Sequence, residues 1–236
     1  MKKYFLVFIS LFTIYACSKE NGVGNGGGNA RAVDLGLSVK WASSNLCTTG
    51  VCANPEEYGD YFAWGETSYK YSYSWVNYKY GFEDNYGYII LTKYNTKSSY
   101  GTVDNKIGLE ADDDAAHVVL GGKWRMPTDT EWTELRETCN WTWTSDYNGK
   151  GVAGYIVTSN KTGYTDKSIF LPAAGYRSYS DLNHAGSYGF YWSSSLFTDS
   201  PYRAWGVQFG SRGVKRSDDV STNRRYYGLS VRPVTE

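Results

Sequence analysis

The feature that most constrains the fold is a pattern of alternating residues near the carboxyl end of the chain, within residues 189–234. Trp205, Val207 and Phe209 alternate there with small or polar residues, so an extended chain places all three on one face. Residues 229–231 repeat the pattern. The alternation predicts buried β-strands that form a rigid frame.

The segments between these predicted strands have a different composition. Residues 196–203, 211–219 and 221–226 are rich in Ser, Asp, Asn, Arg and Tyr, and they have no apolar period. Polar and aromatic loops held on rigid strands are a common way to build a binding surface. We therefore expect a ligand-binding patch in this part of the chain. The predicted ligand-binding residues are Phe197, Tyr202, Arg203, Arg212, Arg216, Asp218, Arg224, Arg225 and Tyr226, with Asp181 and Asn183 at the edge of the patch.

The amino terminus is predicted to direct export. Lys2 and Lys3 precede an apolar stretch, and Ala16-Cys17 ends it in the manner of a bacterial lipobox. Residues 1–16 are predicted to be a removed signal peptide, and residues 17–31 a lipidated Cys17 followed by a Gly-rich flexible tether. The folded domain is predicted to span residues 32–236. These features predict an outer-membrane lipoprotein that is exposed at the cell surface.

Three further cysteines, Cys47, Cys52 and Cys139, remain in the exported part of the chain. A disulfide is expected outside the cytoplasm, and it can join Cys47 to Cys52 or either of them to Cys139. Neither of the two histidines has metal-ligand spacing to a cysteine pair, so we expect no bound metal and no cofactor. The same scarcity of histidine argues against a Ser-His-Asp site, and we expect no enzymatic activity. A formal net charge of zero argues against a nucleic-acid partner.

Several local patterns predict helices, strands or loops. Asp112, Asp113 and Asp114 predict the start of a helix over residues 112–120; a calcium loop is the less favoured interpretation, because their spacing is wrong for one. Thr128 and Glu131 form a capping box for a second helix, which ends near residue 138. Strands are expected at 33–43, 61–67, 140–143, 154–157 and 168–172, and residues 68–100 are expected to be a surface excursion without a core of its own.

The run Trp124-Arg125-Met126-Pro127-Thr128, followed by Glu131-Trp132, resembles a motif of the formylglycine-generating-enzyme branch of the C-type lectin fold. Residues 33–234 as a whole resemble a lipoprotein family of gut Bacteroidetes, the Fibrobacter succinogenes major paralogous domain group. The matching segments are 34–42, 57–67, 170–177, 191–195 and 230–234. The resemblance implies an α+β, C-type lectin-like fold with short antiparallel sheets, two helices and long loops.

The carboxyl end also resembles the variable proteins of diversity-generating retroelements, in which mutagenesis rewrites codons of a displayed patch. That resemblance implies a surface protein whose loops bind an unknown protein or glycan, with the membrane contacted only through the lipid anchor. The alternative is a structural role, such as a fimbrial-tip protein. Formylglycine-generating activity is a remote alternative, because it needs a reactive cysteine pair in the carboxyl-terminal half and no cysteine follows Cys139.

Overall fold

The computed structural model describes residues 30–216 and 223–236. The strands in these residues are Ala32–Val33 (β1), Lys40–Ala42 (β2), Leu46–Cys47 (β3), Gly50–Val51 (β4), Gly81–Glu83 (β5), Ile89–Leu91 (β6), Cys139–Thr144 (β7), Gly154–Ser159 (β8), Ser168–Pro172 (β9), Tyr176–Ser178 (β10), Asp181–Asn183 (β11), Tyr188–Leu196 (β12), Ala204–Gly210 (β13), Gly213–Arg216 (β14) and Val234–Thr235 (β15). The α-helices are Ala115–Leu120 (α1) and Asp129–Thr138 (α2), and the 3₁₀ turns are Trp75–Asn77, Ser98–Tyr100, Ala111–Asp113 and Tyr147–Gly149.

The strands pair into small antiparallel sheets. The longest ladder joins β12, β13 and β14, with Tyr191 opposite Val207. A second sheet joins β7, β8 and β9, and a third joins β1, β2 and β15. In this third sheet Val234 pairs with Trp41, so the end of the chain is fixed beside the start of the domain.

The prediction of an α+β, C-type lectin-like fold is wrong. Strand makes up 35% of the structure and helix only 14%, and the described residues contain one helix of seven or more residues, so the architecture is mostly β. Both predicted helices do form, but α1 has only six residues. It ends before Gly121, whose φ of 68° belongs to the left-handed region that favours glycine. Most of the core is therefore supplied by strands and loops.

The capping box of α2 is confirmed, whereas the start predicted for α1 is confirmed only for Asp114, because Ala111–Asp113 form a separate 3₁₀ turn. Thr128 and Glu131 form the capping box of α2, and Trp132 and Leu135 form its buried face. At α1, the side chain of Asp114 accepts hydrogen bonds from the backbone N–H groups of Ala116 and His117. Asp114 alone of the three adjacent aspartates caps the helix.

The core consists of two clusters of buried side chains. One lies beneath α2, where Trp132 packs on Trp41 with ring centroids 4.7 Å apart and on Tyr191 at 5.8 Å. The other surrounds Trp64 and Trp192. The indole N–H of Trp192 donates to the backbone oxygen of Phe62 at 2.7 Å. This bond joins β12, in the carboxyl-terminal half of the chain, to the amino-terminal half.

Three of the predicted strands are mostly irregular, among them residues 229–231, which form only isolated bridges from Leu229 to Phe62 and from Ser230 to Tyr191. Between Val33 and Lys40 the chain bends, because the Asp34 carboxylate accepts the backbone N–H of Gly36 at 2.9 Å in a local turn. The alternation of apolar residues there still predicts the buried side chains correctly, since Leu35 and Val39 are buried. Residues 61–67 form only an isolated bridge between Phe62 and Leu229.

The expectation that residues 68–100 form a surface excursion is also wrong. Tyr73, Trp75, Tyr78 and Tyr94 are buried in the core cluster around Trp64. The segment contains the β5–β6 hairpin, and it covers the chain near residue 225. Tyrosines that a polar composition assigned to the surface therefore serve as core residues.

Cys47 and Cys52 form a disulfide across the β3–β4 hairpin, and Cys139 is a buried free thiol. Glu57 lies close to the two bonded sulfur atoms, but a disulfide offers no thiolate to a metal ion. Among the described residues, no helix combines the length and the apolar character that crossing a bilayer requires.

Candidate functional site

The predicted binding residues do not form one patch, and the two main groups lie at opposite ends of β13. Arg203 immediately precedes this strand and pairs with Arg224 in an isolated bridge. Arg212 lies in the turn that follows the strand and leads into β14. The seven residues of an extended strand span about 20 Å, so the two groups face different surroundings.

The start of β13 carries a packed group of predicted residues. The Phe197 ring contacts the Trp205 ring with centroids 4.8 Å apart, and the Tyr202 ring lies 5.5 Å from that of Tyr100. The Arg203 guanidinium lies 5.2 Å from the centre of the Tyr202 ring. Phe197, Tyr202 and Arg203 are half-buried, and Arg224 is exposed. The sequence correctly brought these four residues together.

Arg225 was predicted to bind ligand, but its side chain is fully buried. Its guanidinium donates to Tyr78 Oη at 2.8 Å and to the backbone oxygens of Lys93, Pro201 and Tyr94 at 3.0–3.1 Å. The rings of Trp64, Tyr78 and Tyr94 surround it with centroids 5.0–5.8 Å away. A buried cation needs hydrogen-bond acceptors in place of water, and Arg225 has four hydrogen bonds and three surrounding rings. Arg225 therefore holds the fold together and is not available to a ligand.

Tyr226 is a second correction, because it is buried as well. Its ring packs against that of Trp75 with centroids 5.1 Å apart. Burial raises the pKa of its hydroxyl above the ordinary value. The prediction treated residues 221–226 as one exposed loop, whereas residues 223, 225 and 226 point into the protein.

The side chains around Arg225 are themselves fixed by Asp113. The buried Asp113 carboxylate accepts hydrogen bonds from the hydroxyls of Tyr80 and Tyr94 and forms ion pairs with Lys93 at 2.5 Å and Lys79 at 3.0 Å. Burial opposes the charged form of the carboxylate, but these donors outweigh it and hold the pKa of Asp113 well below its ordinary value. The hydrogen bonds and ion pairs of Asp113 thereby hold residues 79–113 in place next to Arg225.

The far end of β13 borders a cleft of about 620 Å³. One wall comes from the ends of β7 and β8 and the other from β12, β13 and the turn between β13 and β14. Its lining includes the rings of Trp143 and Tyr188, the buried ring of Phe209, a glutamine amide and several serine hydroxyls. The lining residues are Trp143, Ser145, Ala153, Gly186, Ser187, Tyr188, Gln208, Phe209, Gly210, Ser211, Arg212 and Gly213.

Two glycines on paired strands allow the aromatic wall of the cleft to form. A Cβ atom added to Gly210 would lie 2.9 Å from the Tyr188 ring, and one added to Gly189 would lie 2.1 Å from the Phe209 ring. Each ring lies across the glycine that pairs with it in the β12–β13 ladder. Aromatic residues that cover a cross-strand glycine stabilise a sheet, and here they fix Tyr188 at the cleft wall.

The remaining predicted residues lie outside the cleft lining. Asp181 and Asn183 belong to β11, which pairs with β10; Asp181 is exposed and Asn183 is half-buried. The backbone of Arg216 ends β14 opposite Val207. Asp218 and Cys17 lie outside the described residues.

The cleft offers a cation, two aromatic rings and neutral hydrogen-bonding groups. Arg212 is exposed in the turn, where its guanidinium can reach a carboxylate, phosphate or sulfate group. Trp143 and Tyr188 provide ring surface, and Gln208 can donate and accept hydrogen bonds. Concave sites with a few polar groups between aromatic walls are typical of small-ligand binding.

Sequence reasoning found Arg212 but missed Trp143, Tyr188 and Gln208. Trp143 lies 45 or more residues from the others in sequence, and it belongs to a different sheet, so only the packing of the two sheets brings it to the cleft. A usable signal was present in Tyr188-Gly189 and in Gly210-Ser211-Arg212-Gly213, where glycines flank strand ends beside a large ring or a polar turn.

Residues 154–234 match the model of a family described as Domain of unknown function (DUF8237). The matched segment begins with β8 and ends at the first residue of β15. It therefore contains both ends of β13 and much of the cleft. No curated protein and no solved structure matched the chain.

Proposed function

We propose that this protein is a ligand-binding lipoprotein of the bacterial outer-membrane surface and that its ligand binds in the cleft beside Arg212. The observation that carries the proposal is the cleft itself, about 620 Å³ in volume, with aromatic walls and an exposed guanidinium at one side. The Arg212 charge selects a ligand with an anionic group, either an acidic sugar or a peptide carboxylate.

The surrounding structure supports binding by a preformed site. β12 and β13 hold one wall of the cleft through antiparallel pairing that is regular from Tyr188 to Trp192, and β7 and β8 hold the other. Little conformational entropy is lost when the walls are already ordered, so more of the contact energy remains as affinity. The lipid anchor predicted at Cys17 would keep the cleft near the membrane that displays it.

A thermal-shift screen tests this proposal. Detergent-solubilised full-length protein would be mixed with acidic oligosaccharides and with peptides that have a free carboxylate. A ligand that binds only the folded state raises the Tm by mass action. For a ligand found in this way, Arg212→Ala should lower the affinity about tenfold, because a charge-assisted hydrogen bond is lost.

Arg224→Ala is the matched control. Arg224 is also an exposed arginine, but it lies at the other end of β13. Its replacement should leave the affinity for the same ligand unchanged. A larger loss in Arg224→Ala than in Arg212→Ala would place the binding site at the start of β13 and contradict the proposal.

The proposal also predicts which sequence positions would vary if the protein binds a range of ligands. Diversification by a retroelement would change exposed positions such as Arg212 and Arg224 and leave the buried Arg225 and Tyr226 constant. Sequencing this locus in many bacterial strains tests the idea. Differences spread evenly over buried and exposed positions would contradict it.

A further inference from the structure

A second surface stands apart from the cleft lining, and we call it the tyrosine tip: Tyr69, Tyr71 and Tyr179, with Ser180 and Asp181. Tyr179 lies in the turn between β10 and β11. Its backbone N–H and carbonyl groups exchange hydrogen bonds with those of Tyr73 at 2.8 and 2.9 Å. This bridge brings the segment with Tyr69 and Tyr71 alongside the turn.

The three rings of the tyrosine tip are exposed to solvent. Tyr71 is 84% exposed, Tyr179 is 61% exposed, and Tyr69 is 45% exposed. The rings of Tyr69 and Tyr71 contact each other with centroids 5.7 Å apart, and their hydroxyls lie 3.4 Å apart. Exposed aromatic rings that lie together mark interaction sites, whereas singly exposed rings are common on protein surfaces.

Tyr179 also has an unusual backbone conformation. Its φ of 52° lies in the left-handed region, which bulky side chains avoid and which Gly or Asn occupies more easily. With most of its ring in solvent, Tyr179 gains little burial to offset this cost. A strained residue that the core does not require is a recognised mark of a functional position.

We propose that the tyrosine tip binds a neutral saccharide. Sugar rings present C–H faces that pack on aromatic rings, together with hydroxyl groups that pair with polar side chains. Tyr69, Tyr71 and Tyr179 supply the rings, and their hydroxyls, with Ser180 and Asp181, supply the hydrogen-bonding groups.

The charges around the tip favour an uncharged sugar. Asp181 is an exposed carboxylate beside the turn and repels an acidic one. The nearby ammonium of Lys70 is paired with Glu66 at 2.7 Å, and Arg177 donates to the backbone oxygen of Ser180 at 3.3 Å. The tip thus differs from the cleft, where Arg212 selects a negative group.

A glycan array tests the proposal, with full-length detergent-solubilised protein and with neutral and acidic oligosaccharides on the same slide. The wild type should bind one or more neutral oligosaccharides. Tyr71→Ala should weaken that binding about tenfold, as loss of an anchoring ring does. Arg212→Ala should leave it unchanged, which separates the tip from the cleft.

Tyr86→Ala is the matched control, because Tyr86 is 85% exposed but belongs to the β5–β6 hairpin. It should bind the neutral oligosaccharides like the wild type. An array on which only acidic sugars bind, or none, would overturn the proposal. An equal loss in Tyr71→Ala and Tyr86→Ala would also overturn it.

Tyr179→Asn distinguishes a binding role of the Tyr179 ring from a structural role. Asn tolerates a left-handed φ, so this variant should raise the Tm by about 2–4 °C while weakening binding of the neutral oligosaccharides about tenfold. A lower Tm together with unchanged binding would show that the ring serves the fold and would contradict the proposal.

Discussion

Arginine side chains have opposite environments at the two ends of β13. Near its start, Arg225 is fully buried, and its guanidinium donates to carbonyl oxygens and a tyrosine hydroxyl and lies among three rings. At its far end, Arg212 is exposed beside a cleft. The comparison shows that an arginine in a polar stretch can be a structural centre or a binding group, depending on what the rest of the chain places around it.

Arg232 supports the structural half of this comparison. It is also fully buried, and its guanidinium donates to Asn45 Oδ1 and to the backbone oxygens of Ala42 and Phe170. Burial lowers its pKa to about 10, which still leaves it charged at neutral pH. Buried arginines thus link the carboxyl-terminal segment to distant parts of the chain.

The largest expected effect is on stability and comes from Arg225→Leu. The carbonyl oxygens of Lys93, Tyr94 and Pro201 and the hydroxyl of Tyr78 would lose their donor in a buried place. We expect the free energy of unfolding to fall by about 3–5 kcal/mol. Urea unfolding measures it, with Arg224→Leu as the control that stays within about 0.5 kcal/mol of the wild type. Equal losses in both variants would remove the distinction between buried and exposed arginines.

A smaller loss is expected from Asp113→Asn. Lys93 keeps its ion pair with Glu110, and Lys79 can return to water, so the cost should be about 2–3 kcal/mol at pH 7. Urea unfolding at neutral pH gives this difference directly. A loss below about 0.5 kcal/mol would mean that the carboxylate does not support the residues above Arg225.

The same variant has a defined pH dependence. The pKa of Asp113 is lower in the folded state than its ordinary value of 3.8. Its contribution is therefore fully present above about pH 4 and is lost as the pH falls below that value towards the folded-state pKa. The gap in unfolding free energy between wild type and Asp113→Asn should narrow as the pH falls from about 4 to about 2. A constant gap would contradict this role of the charge.

The smallest expected effect on stability comes from Arg212→Ala. The side chain is exposed in a turn, so the free energy of unfolding should change by less than about 0.5 kcal/mol. Together with the tenfold loss of affinity expected above, this separates binding from folding at the cleft end of β13. A loss of 2 kcal/mol or more in urea unfolding would assign Arg212 a structural role instead.

The sequence predicted elements whose causes are local. The capping box of Thr128 and Glu131 defines the start of α2, and period-2 alternation located β13 with its buried Val207 and Phe209. Strands β8 and β9 were also placed correctly. In each case the residues that determine the helix or strand are neighbours in the chain, so a short stretch of sequence is enough to predict it.

What the sequence did not show depends on distant partners. Arg225 is buried because carbonyl groups of residues 93, 94 and 201 converge on it, and nothing within its own segment reveals them. The burial of Tyr73, Tyr78 and Tyr94 was missed for the same reason, because their partners in the core are distant in sequence. The fold class was mispredicted because a resemblance in short motifs does not fix how small sheets assemble.

The central claim is that ligand binds at the cleft end of β13 and that the Arg225 end supports the fold. Hydrogen–deuterium exchange with the ligand from the thermal-shift screen tests it most directly. The account predicts that added ligand slows exchange in residues 143–145, 186–188 and 208–213, and leaves 197–203 and 223–226 unchanged. Protection confined to residues 197–203 and 223–226 would contradict it.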